Sequence, residues 1–359
     1  MTRIPSLDGL RAVAITMVLV CHTAELKGGS LHPLQNLGTL GVRVFFVISG
    51  MLITRLLLEE WERGGTISLK RFYIRRTLRI FPAMWFYVAV IAALSLYGFI
   101  SLQPYDVLHA LTYTMNYVGN RSWNVGHIWS LSVEEQFYLL WPLAVLLCKP
   151  RIASKVALLA LLLAPLCRLV FFFWIPATPY HEWFPAACDS LATGCFLTLL
   201  GPGLRQRWIS PWITSRWFFA VPVLVLLANA LRYRAEGLLG LDPKARILFL
   251  LLDTVGITLM NVGIALTIER VVRYPGDFFG RILNSKPLIW LGTISYSLYL
   301  WQMPFFNPES PAWITRFPVN IVLSIAAATA SYYCIEKPIL QLRNRFTRRA
   351  ERTAAPVAP

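Results

Sequence analysis

Apolar stretches of roughly 18 to 23 residues recur along this chain, each long enough to cross a hydrocarbon core about 30 Å thick as a helix. Inside lipid, only helices and closed barrels satisfy every backbone polar group. The stretches are continuous rather than alternating, which excludes a β-barrel. Charged residues make up 14% of the 359, against about 25% in an ordinary soluble domain, too few to clothe a water-facing globule. The expectation is an all-α, polytopic membrane protein embedded in the lipid bilayer.

Ten spans fit the pattern, at 8–26, 38–58, 80–100, 129–148, 154–175, 185–202, 214–232, 247–268, 287–306 and 315–335. With the N-terminus inside, 24 of the 34 Lys and Arg fall on cytoplasmic segments and 7 on the opposite side, while Arg43, Arg55 and Arg168 stay within spans. This imbalance is the positive-inside pattern, and it places both termini in the cytoplasm. It also accounts for the formal net charge of +16 without a nucleic-acid partner. Residues 1–340 read as one transmembrane domain, and 341–359 as a basic, flexible cytoplasmic tail. The early Asp8 and Arg11, with no small-residue cleavage site after them, argue for a retained first helix rather than a cleaved signal. The six cysteines lack zinc or disulfide spacing and read as small core residues, so no metal is expected.

Ionisable residues inside a membrane cost some ~2.5–3.5 kcal/mol each on insertion scales, so they mark candidate sites. Arg11 and His22 are eleven residues apart, which returns to within about 20° of one helical face, roughly 16 Å along the axis. His22 is the only histidine inside a span, and an imidazole can serve as a base near neutral pH. It could equally be a hydrogen-bonded interfacial residue. Arg71, Arg75 and Arg79 share a face at i, i+4 and i+8, with Arg76 beside them. That segment suits lipid headgroups, or the basic mouth of a site for a polyanionic coenzyme. Ser130, Glu134 and Tyr138 recur every four residues at the start of the fourth span, whereas Glu135 points elsewhere. Arg168, Asp189, Asp253 and Asn261 are further polar residues within spans, open to structural pairing. Asp189 lies among small residues where another helix can approach. Gly38, Gly41 and Gly50 read as helix-packing positions. No phosphate-binding loop, dinucleotide turn, nucleophile elbow or zinc helix is present.

Taken in order, IPSLDGLRAVAI with Arg11 and His22, GVRVFFVISGMLIT, FYIRRTLRIFP, WSLSVEEQFYLLWP, CDSLATG, LGTISYSLYLW and ASYYCIEKP resemble the acyltransferase 3 family. These are integral-membrane O-acyltransferases of bacterial sugars and some natural products, and the resemblance covers residues 4 to about 340. It implies transfer of an acyl group, usually acetyl, from cytoplasmic acyl-CoA as co-substrate to a saccharide or natural-product hydroxyl across the inner (plasma) membrane. No bound cofactor is implied. It maps the catalytic histidine onto His22, its arginine onto Arg11, the donor-binding arginines onto Arg75, Arg76 and Arg79, and a carboxylate onto Glu134. Arg71 extends the basic set, while Ser130, Tyr138 and Asp189 are candidate substrate contacts. Two departures stand out. Gln302 occupies a position where many relatives have histidine, and Arg43 one where many have an acid. Some relatives also carry a C-terminal extracytoplasmic hydrolase-like domain; without it, the membrane part is expected to complete the reaction. The rival readings are a glycan or lipid-intermediate transporter and a membrane scaffold.

Overall fold

The computed structural model describes residues 4–27, 34–175, 178–238 and 242–342, so His32 and nearly all of the predicted tail lie outside the described residues. Among the described residues the regular structure is entirely helical. The main elements are α1 (Pro5–Lys27), α2 (Leu37–Gly64), α3 (Leu69–Leu96), α4 (Ile128–Trp174), α5 (Phe184–Leu199), α6 (Ala220–Gly237), α7 (Ile257–Arg273), α8 (Lys286–Thr293), α9 (Ser295–Trp301) and α10 (Val319–Ser331). Short helical turns fill the connections.

Among the described residues, six helical segments are long and apolar enough to cross a membrane by length and composition. The difference from the ten expected spans has local causes. The predicted fourth and fifth spans both lie within α4, which is two helices meeting at Lys149, where φ 59° and ψ 159° just before Pro150 break the helix at the expected boundary. Its two ends meet the same loops: Gln136 donates to the Tyr113 carbonyl near one end, and Phe171 packs on Trp183, itself against Tyr117, near the other. The chain therefore turns back at Lys149. α5 has 16 residues, short of the ~20 a straight crossing needs. The predicted ninth span divides into α8 and α9 at Ile294, followed by the 3₁₀ turn Met303–Phe305. A ladder of leucines on α4, among them Leu139, Leu147, Leu159, Leu162 and Leu166, points outward and exposed. In water such a face would be a liability, and in lipid it is the expected exterior.

Helix contacts use small residues where backbones meet. A Cβ on Gly50 would overlap the Leu191 carbonyl, and one on Gly194 the Val47 carbonyl, so α2 and α5 interlock reciprocally. Cys195 Sγ adds a 3.6 Å bond to the Gly50 carbonyl. Without a strong hydrophobic drive between helices in lipid, such close approach supplies dispersion and weak hydrogen bonding. Gly194→Val should force the pair apart and cost about 1–3 kcal/mol. The expected readout is a lower midpoint of thermal unfolding in detergent, and an unchanged midpoint would mean the interlock is slack. Gly292 does the same for α8 against α1, facing the Asp8 carbonyl.

Several charged residues buried between helices are paired. Arg168 on α4 is 1% exposed and donates to Asp189 Oδ2 at 3.0 Å, to Thr258 at 3.0 Å, and to the carbonyls of Ala186 and Thr254. The π-turn Leu252–Gly256 ahead of α7 widens the helix at Thr254, whose carbonyl accepts one of these bonds. Asp253, in that same turn, accepts from Arg232 at 2.8 and 3.0 Å.

Candidate functional site

α1, α2, α3, α4, α8 and α9 enclose a cavity of about 870 Å³. Its α2 lining runs from Val42 through Phe46, Ser49, Ile53 and Leu57 to Glu60. The eighteen helical steps from Val42 to Glu60 make that wall about 27 Å long, close to the full hydrocarbon thickness. The Glu60 end is basic, because Arg75, Arg76 and Arg79 on α3 converge there with Arg11 of α1 further in.

Local structure explains the convergence. Ser68 caps α3 by accepting from the Arg71 amide, so the helix begins just before the arginines. Arg75 Nη2 reaches Glu60 Oε2 at 3.2 Å across the α2–α3 turn. Arg76 lies over the Tyr138 ring, its guanidinium carbon 5.3 Å from the ring centroid, and over Phe72 at 5.7 Å. Such cation–π contacts hold a guanidinium in place without neutralising it. Arg11 Nη1 donates to Asp8 Oδ1 at 2.9 Å, one turn earlier on α1. Arg71 is exposed and does not line the cavity.

At mid-depth, Ser130, Glu134 and Tyr138 of α4 all reach the cavity, and Glu135 does not. Ser49 Oγ donates to Glu134 Oε1 at 2.7 Å and accepts from the Tyr138 hydroxyl at 3.2 Å. A proton-passing chain Tyr138–Ser49–Glu134 thus borders the arginine cluster. The Ser130 and Tyr299 hydroxyls are 2.6 Å apart, and Tyr299 donates to the His127 carbonyl at 3.0 Å.

His22 stands apart. Gly38 of α2 faces Cys21 on α1, so His22 lies about one turn beyond the Val42 end of the cavity and does not line it. Its Nδ1 is 3.1 Å from Gln302 Oε1, its ring packs edge-on to Trp123, and its side chain is 14% exposed. Glu134 does not bond to it. The link runs through α9, where Tyr299 lines the cavity and Gln302, one turn on, holds His22. Cys21, His22 and Glu25 each offer a ligand atom, all within 4.8 Å of one another. Cys21 Sγ is already bonded to the Gln35 carbonyl at 2.9 Å.

Asp189 also lies outside the cavity, fully buried in its pair with Arg168 and accepting from Thr258 at 2.8 Å. Sequence reasoning missed Ser49, Glu60 and Asp8, whose partners sit on other helices or one turn away. A lone serine in an apolar helix gives no signal until the facing helix is placed.

A second cavity of about 270 Å³ lies at the N-terminal end of α2, lined by Gln35, Asn36, Arg43, Asn229, Arg232 and Tyr233 among others. Val42 and Phe46 line both cavities. His181 also lines it, and burial pushes this loop imidazole down to about 3.

A bundle of apolar helices around a chamber with a basic end defines a multi-pass membrane protein. Residues 4–336 match the family model described as an acyltransferase domain, and the chain belongs to that family. It is 27% identical to the peptidoglycan O-acetyltransferase OatA of Listeria monocytogenes, over 94% of this chain and 56% of that protein. It is 28% identical to the O-acetyltransferase OatA of Staphylococcus aureus, over 94% and 57%. The chain thus spans little more than half the length of these relatives. No solved structure matches it.

Proposed function

We propose that this chain is a ten-span O-acyltransferase of the inner (plasma) membrane with both termini cytoplasmic. It moves an acyl group, most simply acetyl, from cytoplasmic acyl-CoA to a hydroxyl of an envelope saccharide, peptidoglycan being the class named for its relatives. The observation that carries this is the long cavity whose Glu60 end gathers Arg75, Arg76 and Arg79, with Arg11 deeper along the wall. Phosphates of a coenzyme cannot enter hydrocarbon, and guanidinium groups bind them by charge-assisted, often bidentate, hydrogen bonds. The cavity then takes the extended pantetheine arm and brings the thioester toward the Val42 end.

His22, about one turn beyond that end, removes the proton from the acceptor hydroxyl as the hydroxyl oxygen forms the new bond to the acyl carbon. The carbon–sulfur bond breaks, and the departing thiolate recovers the proton. Gln302 Oε1 accepting from Nδ1–H leaves the other ring nitrogen as the base. Tyr138 and Ser130 line the path the thioester would take, and Glu134 would balance the arginine charge beside it.

The test is thiol release by purified protein in detergent given acetyl-CoA and a peptidoglycan saccharide. A pure transporter releases none. In the same assay Arg75→Gln combined with Arg79→Gln should raise the donor KM about tenfold or more, with the acceptor KM nearly unchanged. An unaltered donor KM would reduce these arginines to headgroup anchors.

A further inference from the structure

Resting on the acyl-transfer reading, we propose that the smaller cavity is the acceptor site, and that it takes a sugar bearing a carboxylate that Arg43 binds. At about 270 Å³ it holds the volume of about nine waters, room for one sugar ring rather than a chain. The side chains of Gln35, Asn36, Asn229 and Tyr233 offer donors and acceptors for hydroxyls, and Trp129 offers an aromatic surface for the C–H face of a ring.

Arg43 gives the charge preference. It is 8% exposed and lines the cavity, and its one hydrogen bond among the described residues runs to the Ser190 hydroxyl at 3.3 Å. The acids near it each pair with another arginine, and none hydrogen-bonds Arg43. Asp189 is held by Arg168 and Thr258, Asp253 by Arg232, and Glu182 by Arg121 at 2.6 Å. A buried guanidinium that meets only a hydroxyl is costly until an anion joins it. Glu182 and Glu236 also line the cavity and disfavour a doubly charged phosphate more than a singly charged carboxylate. The position suits an acceptor, because only Val42 and Phe46 are shared between this cavity and the longer one.

The experiment measures binding of methyl glucuronide and methyl glucoside to the full chain in lipid nanodiscs, with no donor present. The glucuronide should bind about tenfold more tightly, the effect of one charged hydrogen-bonded pair. Arg43→Gln should level the two sugars, and Arg43→Lys should keep part of the preference. Equal binding by the unaltered protein, or an undiminished preference in Arg43→Gln, overturns the proposal. The comparison of sugars on unaltered protein needs no variant to fold. A preference without thiol release would sink acyl transfer and keep the acidic-sugar site; thiol release without a preference would do the reverse.

Discussion

His22→Ala should lower acyl transfer by about 10²–10⁴-fold, the usual worth of a positioned general base, with the protein still inserted at its normal level. The imidazole contributes little to the fold beyond its contacts with Gln302, Trp123 and Phe306, so truncation leaves the bundle standing. The loss should fall on the maximal rate and spare the donor KM, because the arginines that would hold the donor lie at the far end of the long cavity. A well-expressed variant with near-normal turnover would remove His22 from the chemistry. In that case the Tyr138–Ser49–Glu134 chain becomes the next source of a base.

The second large effect concerns stability. Asp189→Ala strands Arg168, which is buried and gathers α4, α5 and the turn before α7. Breaking one partner of a buried pair typically costs about 3–5 kcal/mol. Removing both, as Arg168→Met with Asp189→Leu, should restore much of the loss, since an apolar pair of similar volume carries no stranded charge. The measurement is the fraction of protein that stays monodisperse after heating in detergent. If Asp189→Ala were stable and instead changed only the acceptor KM, Asp189 would be a substrate contact and not a helix clamp.

Much of this was legible in the chain because helical phase is a local property. The four-residue recurrence of Ser130, Glu134 and Tyr138 needs no tertiary information, and the three side chains do share one cavity while Glu135 does not. Arg75 and Arg79 follow the same logic, whereas Arg71, on the same face, falls one turn outside because α3 begins there. Hydropathy located the helical segments and the boundary near Lys149 between the fourth and fifth spans, but it could not register the division at Ile294, which depends on backbone geometry at single residues. Contacts between distant helices were beyond reach. Arg11 and His22 share a stripe, yet Gln302, 280 residues away, holds the imidazole outside the long cavity. The commitment of Asp189 to Arg168 likewise appears only when α4 and α5 are packed together.

Val42 and Phe46, two apolar side chains, stand where the chambers from opposite ends of α2 come closest. Neither carries a group that relays hydrogen ions. A catalyst whose two reactants arrive from opposite compartments, as proposed for this chain, must not short-circuit the electrochemical gradient across its own membrane. Under that proposal an apolar pair at the meeting of the chambers gives protons no side-chain relay where the acyl group is handed over.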